Sequence, residues 1–273
     1  MNPRNRWRKI PSCRTFITLL FVIVSGFTGC APLTAPPAPA KIPVIHWQLE
    51  QLIGAMERRR NEFRSLRALA RVEYAGPDGK RQFQEAILVQ RPDRLRLETL
   101  SFLGAILIVT VNDREMVGYQ PREDLFLRGR PSRKNLFRTL QIPLELDEIT
   151  ALLIGLPPVD PKVPATLEGH TLVFSSNGQK RDEVDFEFSA PVPTGWKRFD
   201  ETGEILVSAQ FADYVSTAAG LFPSRVSVSA PLQAKRLEIH YEKPELNISF
   251  QAGLFSQQKP ANVKELPFEA LGG

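Results

Sequence analysis

Histidine and cysteine are both scarce in this chain, which has three histidines and two cysteines among 273 residues. His46, His170 and His240 stand far apart and lack the spacing of metal ligands. The sequence also contains no nucleophile elbow and no phosphate-binding glycine loop. We therefore predict a binding or carrier protein that uses no cofactor and no metal, rather than an enzyme.

Acidic residues are missing from the first 29 positions, although this segment is rich in arginine and lysine. Its basic residues are Arg4, Arg6, Arg8, Lys9 and Arg14. They account for the whole net charge of +5, because the remaining basic side chains equal the 30 acidic ones in number. If the segment is removed, the mature chain is neutral, and binding to nucleic acid loses its main electrostatic support.

A long apolar run is missing as well. Residues 16–24 are apolar, but a membrane-spanning helix needs about 20 such residues. The run follows a basic stretch and has the length typical of a secretory signal peptide, so we predict that residues 1–29 are cleaved off. A signal anchor that is never cleaved is the alternative. Cleavage removes Cys13 and leaves Cys30 as the only thiol, which excludes an intrachain disulfide.

The end of this segment resembles the lipobox of bacterial lipoproteins. Phe27, Thr28, Gly29 and Cys30 match its pattern of an apolar residue, a small residue, glycine or alanine, and cysteine. The resemblance implies a diacylglyceryl group on Cys30, cleavage before it, and acylation of the new N-terminus, for example by palmitate. Ala31 follows where an aspartate would favour retention in the inner membrane. The resemblance therefore implies a lipid-anchored protein of the outer membrane that faces the periplasm.

The rest of the chain divides into three parts. Prolines recur between positions 31 and 43, which favours an extended tether over residues 30–45. Residues 46–250 show alternating strand and helix patterns and form the predicted folded domain. Residues 251–273 are interpreted as a C-terminal tail.

Apolar residues at helical spacing predict helices near residues 46–66, 132–140 and 145–156. Period-two patterns predict about a dozen strands, and Asn177–Gly178 is a hairpin turn signal. The predicted strands cover residues 69–74, 83–90, 94–99, 105–111, 115–119, 124–128, 170–174, 184–188, 195–199, 205–214, 225–229 and 235–241. This order predicts a mainly β protein in which a large antiparallel sheet curls around helices.

Four stretches of the domain resemble the LolA/LolB lipoprotein-localisation superfamily, and most of all its LolB-like outer-membrane lipoprotein receptors. They are Arg71–Tyr74 with the turn 76–79, residues 91–97, Phe102–Gly104, and residues 152–157. Phe102–Gly104 is similar to the Pro-Leu-Gly loop of the family, with phenylalanine in place of proline. Residues 152–157 are similar to a helix end with Gly-Leu-Pro, although no tryptophan precedes Gly155.

The resemblance implies an incomplete, half-open antiparallel β-barrel that encloses helices and an apolar cavity. It also implies a function: a monomer that receives the acyl chains of lipoproteins from a periplasmic LolA-like carrier and inserts them into the outer membrane. The loop residue Leu103, with Phe102 beside it, corresponds to the position that touches the bilayer. As an alternative, both could be ordinary core residues at a strand end.

Alternation along the strands and the apolar stripe of the third helix point to candidate lining residues of such a cavity. These are Leu95, Leu97, Ile106, Ile108, Leu152, Leu153, Phe186, Phe188, Leu237 and Ile239. The same residues could instead fill a solid core. In that case the protein would be a non-enzymatic envelope scaffold with the same fold. A lipid-anchored enzyme is a third reading, for which the sequence shows no catalytic constellation.

Overall fold

Strands separated by short turns dominate the part of the chain that the computed structural model describes, which is residues 46–140 and 142–270. The predicted signal peptide, the lipidation site Cys30 and the tether lie outside these residues. The described strands are β1 Ser65–Gly76, β2 Gly79–Gln90, β3 Arg94–Ser101, β4 Gly104–Val111, β5 Met116–Gln120, β6 Leu125–Gly129, β7 Ala165–Glu168, β8 Thr171–Ser176, β9 Gln179–Phe186, β10 Pro193–Phe199, β11 Ile205–Thr217, β12 Gly220–Ala230, β13 Lys235–Leu246 and β14 Lys264–Pro267.

All of these strands belong to one sheet, in the order β14-β6-β5-β4-β3-β2-β1-β13-β12-β11-β10-β9-β8-β7. Each neighbouring pair is antiparallel except β14 with β6, which is parallel. The pairing of β1 with β13 joins two meanders, β1–β6 and β7–β13, at the centre of the sheet. The strands at the ends of this order, β14 and β7, are not paired with each other, so the barrel is open. The predicted fold class, an incomplete antiparallel barrel with helices, is confirmed.

Three helices accompany the sheet: α1 Leu49–Glu62, α2 Arg133–Leu140 and α3 Leu146–Leu153. Both α1 and α3 begin with a capping box, formed in α3 by Glu145 and Glu148, which satisfies backbone N–H groups of the first turn. Buried apolar residues of both helices pack in the same core as one face of the sheet. We call this the inner face. Helix α1 is shorter than predicted, because Phe63 already has an extended backbone that leads into β1.

The C-terminal residues take part in the sheet rather than trailing from it. Residues 252–255 form a short 3₁₀ turn, and Lys264–Pro267 form β14 at the sheet edge. The side-chain amide of Asn112 donates to the carbonyl of Phe255 at 2.9 Å, and that of Gln257 donates to the carbonyl of Ile108 at 3.2 Å. Val263 packs on Val117 and the neighbouring aromatic rings. This segment therefore covers part of the outer face of the first meander.

The described residues all belong to one compact unit, which contains the entire described core. A fragment that begins at residue 42 therefore retains the sheet, the helices and the C-terminal segment. Among the described residues, no helix has both the length and the apolar character needed to cross a bilayer.

Candidate functional site

The inner face of the first meander is an apolar wall built by cross-strand pairs. Leu95 of β3 pairs with Val111 and Leu97 pairs with Val109, while β2 contributes Ile87 on the other side. Leu95 is almost completely buried, and Leu97 is partly buried against the core. Because side chains two residues apart in a strand share a face, this alternation gives a continuous apolar surface.

Seven of the predicted cavity residues lie on this inner side. Leu152 and Leu153 of α3 are buried in the same core cluster as Leu95, and the second meander contributes to it as well. The remaining members on this side are Leu97, Phe186, Leu237 and Ile239. These seven residues share one core cluster in the structure, and their role in lining a lipid cavity stays a prediction.

The other three predicted cavity residues lie elsewhere. Ile108 pairs with Glu98, whereas the adjacent Val109 pairs with the inward-facing Leu97, so Ile108 and Ile106 point to the outer face. The sequence of β4 is apolar at almost every position and therefore contained no information about which residues point inward. Phe188 lies beyond the end of β9, is about half exposed (52%), and places its ring 3.9 Å from that of His170.

Side chains of the protein itself occupy much of the inner space. Leu95, Leu152 and Phe186 are each at most 3% exposed within the core. A cavity of about 260 Å³ lies between α3 and strands β8–β10, and a wider groove of about 800 Å³ lies along β10–β12. None of the ten predicted cavity residues lines either of these two spaces. Acyl chains could therefore reach the inner wall only if the segment that covers it moved.

We define that cover, α3 and the following residues through Val163, as the lid segment. Three polar contacts hold it to the sheet. The hydroxyl of Thr150 donates to the carbonyl of Pro92 at 2.7 Å, and the hydroxyl of Tyr241 donates to the carbonyl of Leu153 at 2.8 Å. The third contact is a buried ion cluster around Arg198 of β10.

Arg198 joins both sides of the 260 Å³ cavity. Its guanidinium binds Glu148 of α3, Asp182 of β9 at 2.9 Å and the carbonyl of Pro158 at 3.1 Å. The indole N–H of Trp196 also donates to Asp182, at 2.9 Å. Burial by itself lowers the pKa of Arg198, but Asp182 and Glu148 more than offset this and hold the pKa above its ordinary value. Burial also raises the pKa of Asp182, against the pull of Arg198. Arg198 itself is charged at neutral pH, and its contacts tie the lid segment to the second meander.

A single acidic residue lies on the apolar inner wall. Glu85 of β2 pairs with Ala70 and Thr99 and is only 6% exposed. The hydroxyl of Thr99 donates to its carboxyl group at 2.9 Å. Burial raises the pKa of Glu85 to about 7. The sequence analysis missed Glu85, although it stands in phase with the inward-facing Ile87 and Val89.

The most exposed apolar side chains surround the turn between β3 and β4. Phe102 is 94% exposed and Leu103 is 71% exposed, so neither is a core residue. Ile106, on the outer face nearby, is 38% exposed. We call these three residues the apolar tip. Gly104 ends the turn with a φ of 104°, a conformation that favours glycine.

The base of the apolar tip is fixed by hydrogen bonds to one hydroxyl group. The hydroxyl oxygen of Ser101 accepts from the backbone N–H of Leu103 at 3.2 Å, and its O–H donates to the carbonyl of Gly104 at 2.9 Å. The guanidinium of Arg122, from the turn between β5 and β6, donates to the same hydroxyl at 2.8 Å. Two exposed apolar side chains thus project from a well-defined turn.

The histidines do not assemble into a site. Across the described residues, no group of three or more histidine, cysteine, aspartate or glutamate side chains could hold a metal ion. His170 packs on Phe188, and His240 lies on the outer face of β13, with its Nε2 3.1 Å from a carboxylate oxygen of Glu238.

Comparison with solved structures identifies the fold. A domain described as an outer membrane lipoprotein-sorting protein from Vibrio parahaemolyticus superposes with a TM-score of 0.50 at 10% identity, over 76% of this chain and 97% of that one. A DUF1329 family protein from Desulfovibrio piger gives 0.54 at 10% identity, over 76% and 97%. A LolA superfamily protein from Nitrosomonas europaea gives 0.51 at 11% identity, over 77% and 98%.

These likenesses show that the described chain has the open-barrel fold of LolA-like proteins. Comparison with family models and with curated protein sequences gives no match. The described chain is thus mainly β and has a LolA-like fold, with an exposed apolar tip and a covered inner wall.

Proposed function

We propose that this protein binds acyl chains of lipoproteins against the inner face of its sheet and delivers them to a membrane that the apolar tip touches. The observation that carries the proposal is the tip itself, because Phe102 and Leu103 are exposed beside a sheet whose inner wall is apolar. Large apolar side chains exposed on a turn are typical of contacts with membranes or partners. The lipoprotein-sorting description of one structural neighbour supports this choice.

The physical need for such a protein is clear. An acyl chain in water exposes apolar surface at a free-energy cost of about 25 cal/mol per Å². An apolar protein wall replaces that water without a covalent step or ATP. In this protein the lid segment covers the wall, so binding requires that the lid segment move and that the contacts of Thr150, Tyr241 and Arg198 open.

The proposal includes the location of the protein. Lipid on Cys30 would anchor the chain in the outer membrane, and the proline-rich tether, residues 31–45, would hold the domain in the periplasm. The acyl chains would arrive from a LolA-like carrier. The domain would act as a monomer and use no cofactor.

A photoactivatable fatty-acyl probe tests both whether acyl chains bind and which residues they contact. The probe is titrated into a soluble fragment of residues 42–273, which lacks the anchor, and cross-linked peptides are identified by mass spectrometry. We expect saturable binding and labels near Leu97 and Leu237, the partly buried inner residues. The absence of saturable binding, or labels confined to the outer face, would contradict acyl binding between the sheet and the lid segment.

Delivery is tested by one substitution at the tip. Leu103→Glu places a charge where the bilayer contact is proposed, so transfer of a bound acyl probe to liposomes should fall by at least tenfold. Probe binding itself should not change. The matched control is Leu232→Glu, because Leu232 is similarly exposed (59%) in another turn. Equal transfer by both variants would remove the tip from the mechanism.

A second candidate, an envelope scaffold with a filled core, is favoured by one specific observation. Most predicted cavity residues on the inner side are packed against each other. Native mass spectrometry of the 42–273 fragment separates the two functions. Bound lipid supports acyl transfer, whereas protein partners without lipid, combined with no probe binding, support the scaffold.

A further inference from the structure

We propose that Arg122 is a lipid-phosphate contact that fixes how deeply the apolar tip enters a bilayer. The inference rests on the proposed membrane contact of the tip and adds the ligand class that its polar base recognises. The ligand is the phosphate group of a membrane lipid, and the occupant of this surface is therefore a phospholipid bilayer.

The position of Arg122 carries the inference. Its guanidinium reaches from the turn between β5 and β6 to the hydroxyl of Ser101, directly at the base of the turn that holds Phe102 and Leu103. Among the described residues this is its one hydrogen bond, and it forms no ion pair with any of them. Four N–H donors of an exposed guanidinium are thus left without an acceptor in the described part of the chain, beside the most exposed apolar pair.

The order of the groups, apolar side chains at the end of the turn and a guanidinium at its base, matches the order of the layers in a bilayer. Apolar side chains that enter the acyl region bring the residues at their base to the level of the headgroups, where phosphate oxygens are plentiful. Arginine donates two parallel hydrogen bonds to phosphate, so it suits this level better than a neutral residue would.

The local charge shows which kind of attraction is involved. Glu123 and Asp124 follow Arg122 in the same exposed turn, so the turn as a whole is not basic. Long-range attraction between this turn and an anionic surface is therefore weak. The contribution we expect from Arg122 is a direct hydrogen bond to lipid phosphate. We accordingly expect a preference for phosphate-bearing lipids that depends little on the net charge of the membrane.

Vesicle flotation with the 42–273 fragment tests the contact. The vesicles are made of phosphatidylcholine, of phosphatidylcholine with phosphatidylglycerol, or of digalactosyldiacylglycerol, which has no phosphate. Arg122→Gln should lower the affinity for both phospholipid vesicles about fivefold and leave the glycolipid affinity unchanged. Arg114→Gln is the matched control, since Arg114 is 89% exposed in the turn at the opposite end of β4. It should change nothing.

A second variant separates ligand contact from loop structure. Ser101→Ala removes the hydroxyl that holds the turn and accepts from Arg122, but it keeps the guanidinium. Binding to all three vesicles should then weaken alike, and the phospholipid preference should persist. If Arg122→Gln lowers the affinity for all three kinds of vesicle equally, Arg122 only supports the turn. If it lowers the affinity for none of them, the inference is also overturned. Competition by millimolar inorganic phosphate would assign the site to a soluble anion instead.

These outcomes differ from those of the proposed function. If the parent fragment binds no vesicle, the membrane contact of the tip itself fails. If it binds all vesicles equally and Arg122→Gln has no effect, only the phosphate contact fails. Acyl-probe binding is independent of both results.

Discussion

The two halves of strand β4 have similar apolar sequences and very different surroundings. Val109, Thr110 and Val111 are buried on both faces, because the core packs on the inner side and the C-terminal segment packs on the outer side. In the first half the outer face is open, and Ile106 is exposed beside Phe102 and Leu103. A uniformly apolar strand therefore has two partners: its own chain along one half and, in our proposal, a membrane along the other.

The C-terminal segment marks the border between the halves. Gln257 reaches the backbone of Ile108 and the hydroxyl of Thr110, and the carbonyl of Phe255 accepts from Asn112. Among the described residues of this segment, no hydrogen bond reaches Ile106. Substitutions on the two sides of this border should therefore affect different properties of the protein.

The largest expected effect is on the covered side. Phe255→Ala should lower the free energy of unfolding by about 3–5 kcal/mol, because Phe255 is 1% exposed and its removal leaves a cavity. Phe102→Ala, at 94% exposure, should change it by less than about 0.5 kcal/mol. Urea unfolding followed by circular dichroism measures both. Similar losses in the two variants would show that the tip is packed against the protein in solution.

The next effect concerns a buried acidic group on the inner face of the same meander, Glu85. Glu85 has a pKa of about 7 in the folded protein against 4.5 as an ordinary glutamate. The folded state therefore holds a proton that the unfolded state has released between these values. Stability contributed by protonated Glu85 is present in full below pH 4.5 and is lost as the pH rises through 7.

Glu85→Gln removes this loss. The variant should be more stable than the parent by about 3 kcal/mol at pH 8 and close to it at pH 4. Urea unfolding across this pH range measures the difference. Glu123→Gln, in an exposed turn, should show no such dependence on pH. A constant difference across the range would mean that Glu85 is not the titrating group.

The sequence predicted much of the fold because strand signals are local. All twelve predicted strands are present, and the predicted turn at Asn177 and Gly178 has the positive φ values of 53° and 78° that a tight hairpin requires. The two missed strands, β7 and β14, have four residues each and lie at the sheet edges. Four residues are too few for a period-two pattern to stand out.

The candidate site was harder to predict for two different reasons. Residues 105–109 of β4 are all apolar, so their sequence does not indicate which side chains point inward. The prediction therefore placed Ile106 and Ile108 on the inner face, whereas they lie on the outer face. The ion cluster of Arg198, Asp182 and Glu148 joins residues that are far apart in sequence, so no local pattern marks it. The inward position of Glu85, by contrast, could have been predicted, because it alternates with the inward-facing Ile87 and Val89 of β2.

The smallest expected effect tests the open half of β4 directly. Ile106 is 38% exposed and Val215, in β11 near its turn into β12, is 39% exposed, so the two form a matched pair. Alanine at either position should lower the free energy of unfolding by no more than about 1 kcal/mol. Only Ile106→Ala should weaken binding to phosphatidylcholine vesicles, by about threefold, because only Ile106 belongs to the apolar tip. Equal weakening by Val215→Ala would show that vesicle binding follows exposed apolar area in general, and the contrast between the halves of β4 would then have no bearing on membrane contact.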